Sequence, residues 1–154
     1  MASLVEELVN VLEAEKQIYT TLVGYEERKK DVLIAADVAA LEEITTKEQL
    51  AGDDLIAYSN KQIQILKDIA TVLGRTDGKM TVTRLISLLD TQPKVQEQLT
   101  EARDSLLNAA NQMKTLSDQN AILIRQAIEL NEFDMTLFKS LRQAPETANY
   151  DKSA

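Results

Sequence analysis

The sequence predicts an all-α fold, an antiparallel bundle of three long helices with one short additional helix and coiled-coil-like packing. Three observations predict it. Helix breakers and aromatics are scarce, with four Gly, two Pro and 4% aromatic residues in 154. Apolar residues recur at alternating spacings of four and three over long stretches. The turn signals are few, and they fall near residues 35–37, 74–81 and 91–93.

The first helix is expected to begin at Ser3, an N-cap residue with Glu6 three positions on, as in a capping box. Its register runs Leu4, Leu8, Val11, Glu15, Ile18, Leu22, Tyr25, Lys29, Val32. It falters at Ala35-Ala36, and Asp37 is suited to cap a second helix. That helix carries Leu41, Ile44, Glu48, Ala51, Leu55, Tyr58, Gln62, Ile65, Ile69 and Val72, with Gly52 as a place for a kink and Gly74 as the stop. GRTDGKMT, residues 74–81, reads as a loop, and VTRLISLLD after it as a short helix. Pro93 fits the first turn of the last helix, where a missing N–H costs nothing. There the register runs from Val95 to Leu141, broken only by Asn120 and Asp134. Pro145 is expected to end it. Residues 1–145 then form one helical-bundle domain and residues 146–154 a flexible tail. Leu8, Ile18, Leu22, Leu55, Ile69, Leu106 and Leu116 are the expected core.

At ~1.5 Å per residue the first two helices reach roughly 48 and 54 Å, and the last roughly 70 Å. The last helix is too long for its neighbours, so its far end should overhang. That end reads NAILIRQAIELNEFDMTLFKSL, residues 120–141. Leu123, Ala127, Leu130, Phe133, Leu137 and Leu141 share the register face. Ile124, Ile128 and Met135 lie nearly opposite, with Phe138 at the border. Two apolar faces exceed what one bundle contact requires. Ile124, Ile128, Asn131, Met135 and Phe138 are therefore the candidate partner-binding residues, with Ile124, Ile128, Met135 and Phe138 expected to be substantially exposed or covered only by another chain. The plainer alternative is that the first two helices, or a second copy, cover both faces.

Composition excludes several function classes. A net charge of −8, from 17 basic and 25 acidic residues, opposes nucleic-acid binding and docking on anionic lipid. With no Cys and no His, there is no thiolate chemistry, no disulfide framework and no Ser-His or Glu-x-x-His constellation. No apolar run approaches a membrane span, and the acidic beginning is unlike a signal peptide. A cytoplasmic protein without cofactor, metal or catalytic residues is expected. Glu15, Lys29, Glu48, Asn120 and Asp134 interrupt the registers as register devices or exposed positions; Asn120 could pair across the bundle. EERKK, residues 26–30, reads as a solvated face. GRTDGKMT lacks the first glycine and the strand of a phosphate loop.

Three stretches together carry a family resemblance: SLVEELVNVLEAEKQIYTTLVGYEERKKDVLIAADVAALEEI, IATVLGRTDGKMTVTRLISLL and NQMKTLSDQNAILIRQAIELN. Their order and spacing resemble the FlgN family of bacterial flagellar export chaperones over nearly the full length. Asn120 followed by Leu123-Ile124 is similar to the family's Asn-x-x-Leu-Ile signature, and ANYDKSA to its Tyr-Asp tail, though without the closing Gly. The resemblance implies a chaperone rather than an enzyme. Its clients would be hook-associated proteins, FlgK-like and FlgL-like, whose C-terminal helical segment the chain would grip with its own C-terminal amphipathic helix before type III export. Export apparatus components and a second copy of the chain are the further partners to consider. The rival readings are a self-associating structural or signalling module without chaperone activity, and an enzyme with an all-carboxylate metal site.

Overall fold

The computed structural model describes residues 1–153, with side chains described as far as Arg142. It contains four helices: α1 (Ala2–Ala35), α2 (Val38–Val72), α3 (Val82–Leu88) and α4 (Pro93–Ser153). The chain is 89% helical, and no strand occurs among the described residues. The all-α bundle read from the sequence is the fold.

Local chemistry sets most of the breaks. Ala36 adopts a left-handed conformation, and the N–H of Asp37 returns to Val32 O at 3.1 Å, closing α1. Asp37 then turns the chain by accepting from the Ala40 N–H at 3.1 Å, so one residue ends the first helix and the next caps the second. α2 passes through Gly52 as one helix. It ends in a Schellman motif: Gly74 sits at φ 66, its N–H bonds Thr71 O, and Arg75 N–H bonds Ala70 O. Thr81 caps α3 by accepting from the Arg84 N–H at 3.0 Å.

Two expected boundaries differ. α1 begins at Ala2, not at Ser3, and no side chain caps it. The Val5 N–H already bonds Met1 O, and Met1 and Leu4 pack on the core, which extends the helix by a residue or two. α4 is assigned through Pro145 to Ser153, where the sequence predicts a stop. A proline removes one N–H and crowds the carbonyl four residues back, which weakens a helix without reversing the chain. The expected flexible tail, residues 146–154, has its side chains outside the described residues.

The helices run up, down and up. α1 is the shared partner, packed along α2 on one side and along α4 on the other, while α2 and α4 approach one another little. The main core lies at one end. There Leu8 and Leu12 of α1 meet Ile65 and Ile69 of α2, Leu85 of α3 and Leu99 of α4. Gln96 Nε2 donates to Ile86 O at 2.8 Å and ties α3 to α4. Because α2 and α4 do not close on each other, the expected core is only partly realised. Leu8, Leu22 and Ile69 are buried, whereas Ile18, Leu55, Leu106 and Leu116 are half-buried.

Candidate functional site

At the end away from α3, the helices are held by polar groups. Asn120 on α4 is buried and donates through Nδ2 to Glu26 O at 2.8 Å and to Glu26 Oε2 at 2.7 Å. Lys29, one turn on, stands 3.7 Å from Glu26 Oε1 and 3.0 Å from Glu48 Oε2 on α2. One cluster therefore joins all three long helices and fixes their relative height. Asn120 pairs across the bundle, as its interruption of the register suggests. The basic group of EERKK is not wholly a solvated face, since Glu26 is buried and Lys29 nearly so.

The Asn120–Glu26 pairing sets an offset of 94 residues between α4 and α1. By that offset Ala35, the last residue of α1, stands about level with Glu129. Beyond it no other described element stands alongside α4, and the last turn of α1, level with residues 125–129, already leaves them exposed. Every residue from Arg125 to Arg142 is exposed. Leu130, Phe133, Phe138 and Leu141 are each more than 60% exposed. Ile128, Met135 and Leu137 are exposed as well.

This overhang was legible from relative helix length, but the exposed faces were not correctly divided. Ile128, Met135 and Phe138 are exposed as expected, and Asn131 is exposed among them. Ile124 is half-buried, because it lies beside the last packed turn of α1. Leu130, Phe133, Leu137 and Leu141 continue the core register, yet they too are bare. The first two helices thus cover neither face beyond residue 124. The missed signal lay in the lengths themselves, since a register face has nothing to pack on once its partners have ended.

The other carboxylates offer little for chemistry. Burial pushes the Glu15 carboxyl up from 4.5 to about 7. Burial, and then the Glu15 charge, push the Tyr19 phenol up as well. Turned towards Glu15, the Gln62 amide nitrogen lies 2.6 Å from Oε1 and 3.2 Å from Oε2. That is an acid held by a neutral amide beside a phenol, with no second carboxylate in the group. Asp134 is exposed on the overhang. Among the described residues, no three acidic side chains come together as a metal site would require. No helix among them is long and apolar enough to cross a membrane.

Comparison with known proteins gives three findings. The chain is 31% identical over 98 residues to an alanine–tRNA ligase of Pseudoalteromonas translucida (strain TAC 125), a match spanning 64% of this chain and 9% of that enzyme. So small a share of the ligase shows no common family or activity. No solved structure matches. The family model described as FlgN protein matches residues 1–154, the full chain. Because that match covers the full chain, the chain belongs to the FlgN family of flagellar export chaperones.

Proposed function

We propose that the overhang of α4, residues 125–142, is the surface on which this chaperone holds a hook-associated protein of the FlgK or FlgL kind in the cytoplasm before type III secretion. The client contributes its C-terminal helical segment. Ile128, Asn131, Met135 and Phe138 form one side of the grip, with Ile124 at its inner edge. Leu130, Phe133, Leu137 and Leu141 form the other. The observation that carries this reading is the exposure of apolar side chains around the overhang where the rest of the bundle has ended. An apolar helix face of this kind gains most from a second apolar helix laid along it. Met and Phe adapt to clients of differing detail.

The test is calorimetric titration with the C-terminal helical segment of a hook-associated protein. Replacing Ile128 and Phe138 with Ser leaves the thermal melt nearly unchanged, since substitutions of exposed residues typically alter stability by less than about 0.5 kcal/mol. At the interface each loss costs about 1.5–3 kcal/mol, so affinity falls roughly a hundredfold or more. Unchanged affinity in the folded variant would move the client site elsewhere on the bundle.

A further inference from the structure

The overhang has two faces, and its charges divide between them. At about 100° per residue, Leu130, Leu137, Phe138 and Leu141 lie within roughly 60° of Asp134 around α4. Arg125, Glu129, Glu132 and Lys139 lie about 140° or more away from it. All of these residues are exposed. One face is thus an apolar strip with a single carboxylate near its middle, while the opposite face mixes both signs of charge.

Asp134 has no cation near it. It takes part in no ion pair among the described residues, and residues 126–138, QAIELNEFDMTLF, contain no Lys or Arg. The positions three and four residues away, where a helix sets side chains beside one another, are Leu130, Asn131, Leu137 and Phe138. While the strip is bare, water solvates the carboxylate. A wholly apolar helix laid along the strip would take that water away and return nothing, which opposes docking. A second copy fares no better. Laid antiparallel over residues 125–142, it sets the two Asp134 carboxylates close together near the middle of the seam, and residues 126–138 of neither chain bring a cation.

We propose that Asp134 decides which helix the overhang accepts: a client segment whose apolar stripe carries one Lys or Arg opposite Asp134, docked in the register that pairs the two. This rests on the reading of the overhang as the client site. Apolar burial along Leu130, Leu137 and Leu141 supplies the attraction. A single polar position in such a seam sets register and partner, because every other alignment leaves a covered charge unpaired.

Calorimetric titration with the C-terminal helical segment of a hook-associated protein tests this, on the chain, on D134K and on L130S/L137S. Circular dichroism verifies that each variant is folded. The Lys and Arg residues of the segment are changed to Glu one at a time. L130S/L137S and D134K should each weaken binding about tenfold or more. One Glu replacement in the segment should weaken binding to the unsubstituted chain by a similar factor, yet bind D134K within about threefold of the original pair, while the other replacements add to the D134K loss. Affinity lost in L130S/L137S but unchanged in D134K would overturn the inference and leave the overhang as the client site. So would a D134K loss that no replacement in the segment restores. Affinity unchanged in both variants would overturn the inference together with the client site itself. Sedimentation equilibrium supplies the remaining outcome: a dimer of the unsubstituted chain that L130S/L137S dissociates would also overturn it, since a second copy would then cover Asp134 without a cation.

Discussion

Ala36 stands at φ 55 and ψ 35, the conformation that closes α1. For an L-residue with a Cβ this conformation costs about 1–2 kcal/mol. Glycine avoids that cost but loses about 0.5–1 kcal/mol more in chain entropy. Ala36→Gly should therefore raise stability by about 0.5–1 kcal/mol, read from urea unfolding, and a loss of stability would show that Ala36 is unstrained. The sequence revealed the break at this place but not the strain, which depends on the immediate capping of α2 by Asp37. Glu15 presents a similar contrast. The register placed it among apolar neighbours, but its polar partner, Gln62, comes from another helix. Burial raises its folded value from 4.5 to about 7, so the folded chain binds this proton more tightly than the unfolded one. Its contribution to stability is complete below about pH 4.5, falls as pH rises towards 7, and is gone above that. Glu15→Gln removes the loss. The variant's advantage should grow from near zero at about pH 4 to of order 2 kcal/mol at about pH 8. A difference independent of pH would mean that the carboxyl ionises in the fold as it does in water.

Among the elements, the helices and their breaks were legible because they rest on local chemistry: the alternation of spacing, Asp37, Gly74, and Pro93 in the first turn of α4. The burial of Ile18, Leu55, Leu106 and Leu116 was not. It depends on whether α2 and α4 close on each other, and a 4-3 register does not report the distance between two of three helices. Of the Glu26–Lys29–Glu48–Asn120 cluster, Lys29, Glu48 and Asn120 were legible only as interruptions, and Glu26 read as part of a solvated face. In the fold the cluster does what apolar positions cannot: it admits one relative height of α1, α2 and α4, because only one brings the Asn120 amide to Glu26 and the Lys29 ammonium between Glu26 and Glu48. Lys29 stands between both carboxylates with its side chain 14% exposed. Lys29→Met would leave Glu26 and Glu48 enclosed without their cation, at a cost of about 3 kcal/mol. Chemical denaturation measures that loss. A variant as stable as the parent would mean that water reaches the cluster freely and that height is fixed by the apolar core alone.

For the whole molecule, the proposed function rests on a mismatch of lengths. α1 has 34 residues and α2 has 35, whereas α4 has 61. The cluster at Asn120 decides at which end the surplus falls, and it places that surplus beyond the α1–α2 turn, away from α3. The overhang was legible because helix length can be read from register and rise per residue. Its full apolar circumference was not, because residues such as Leu130 and Leu137 fit the core pattern and lose their partners only when the helices are set side by side. The central claim is that the client contacts this stretch and leaves the packed bundle unchanged. Amide hydrogen exchange tests it most directly, on the chain with and without the C-terminal helical segment of a hook-associated protein, at a dilution where the chain is monomeric. A helix end without neighbours should exchange quickly when free. The account predicts that protection on binding rises strongly over residues 125–142 and stays constant in α1, α2 and α3. Unchanged exchange over 125–142, with new protection along α2 or the 74–81 loop, would contradict it.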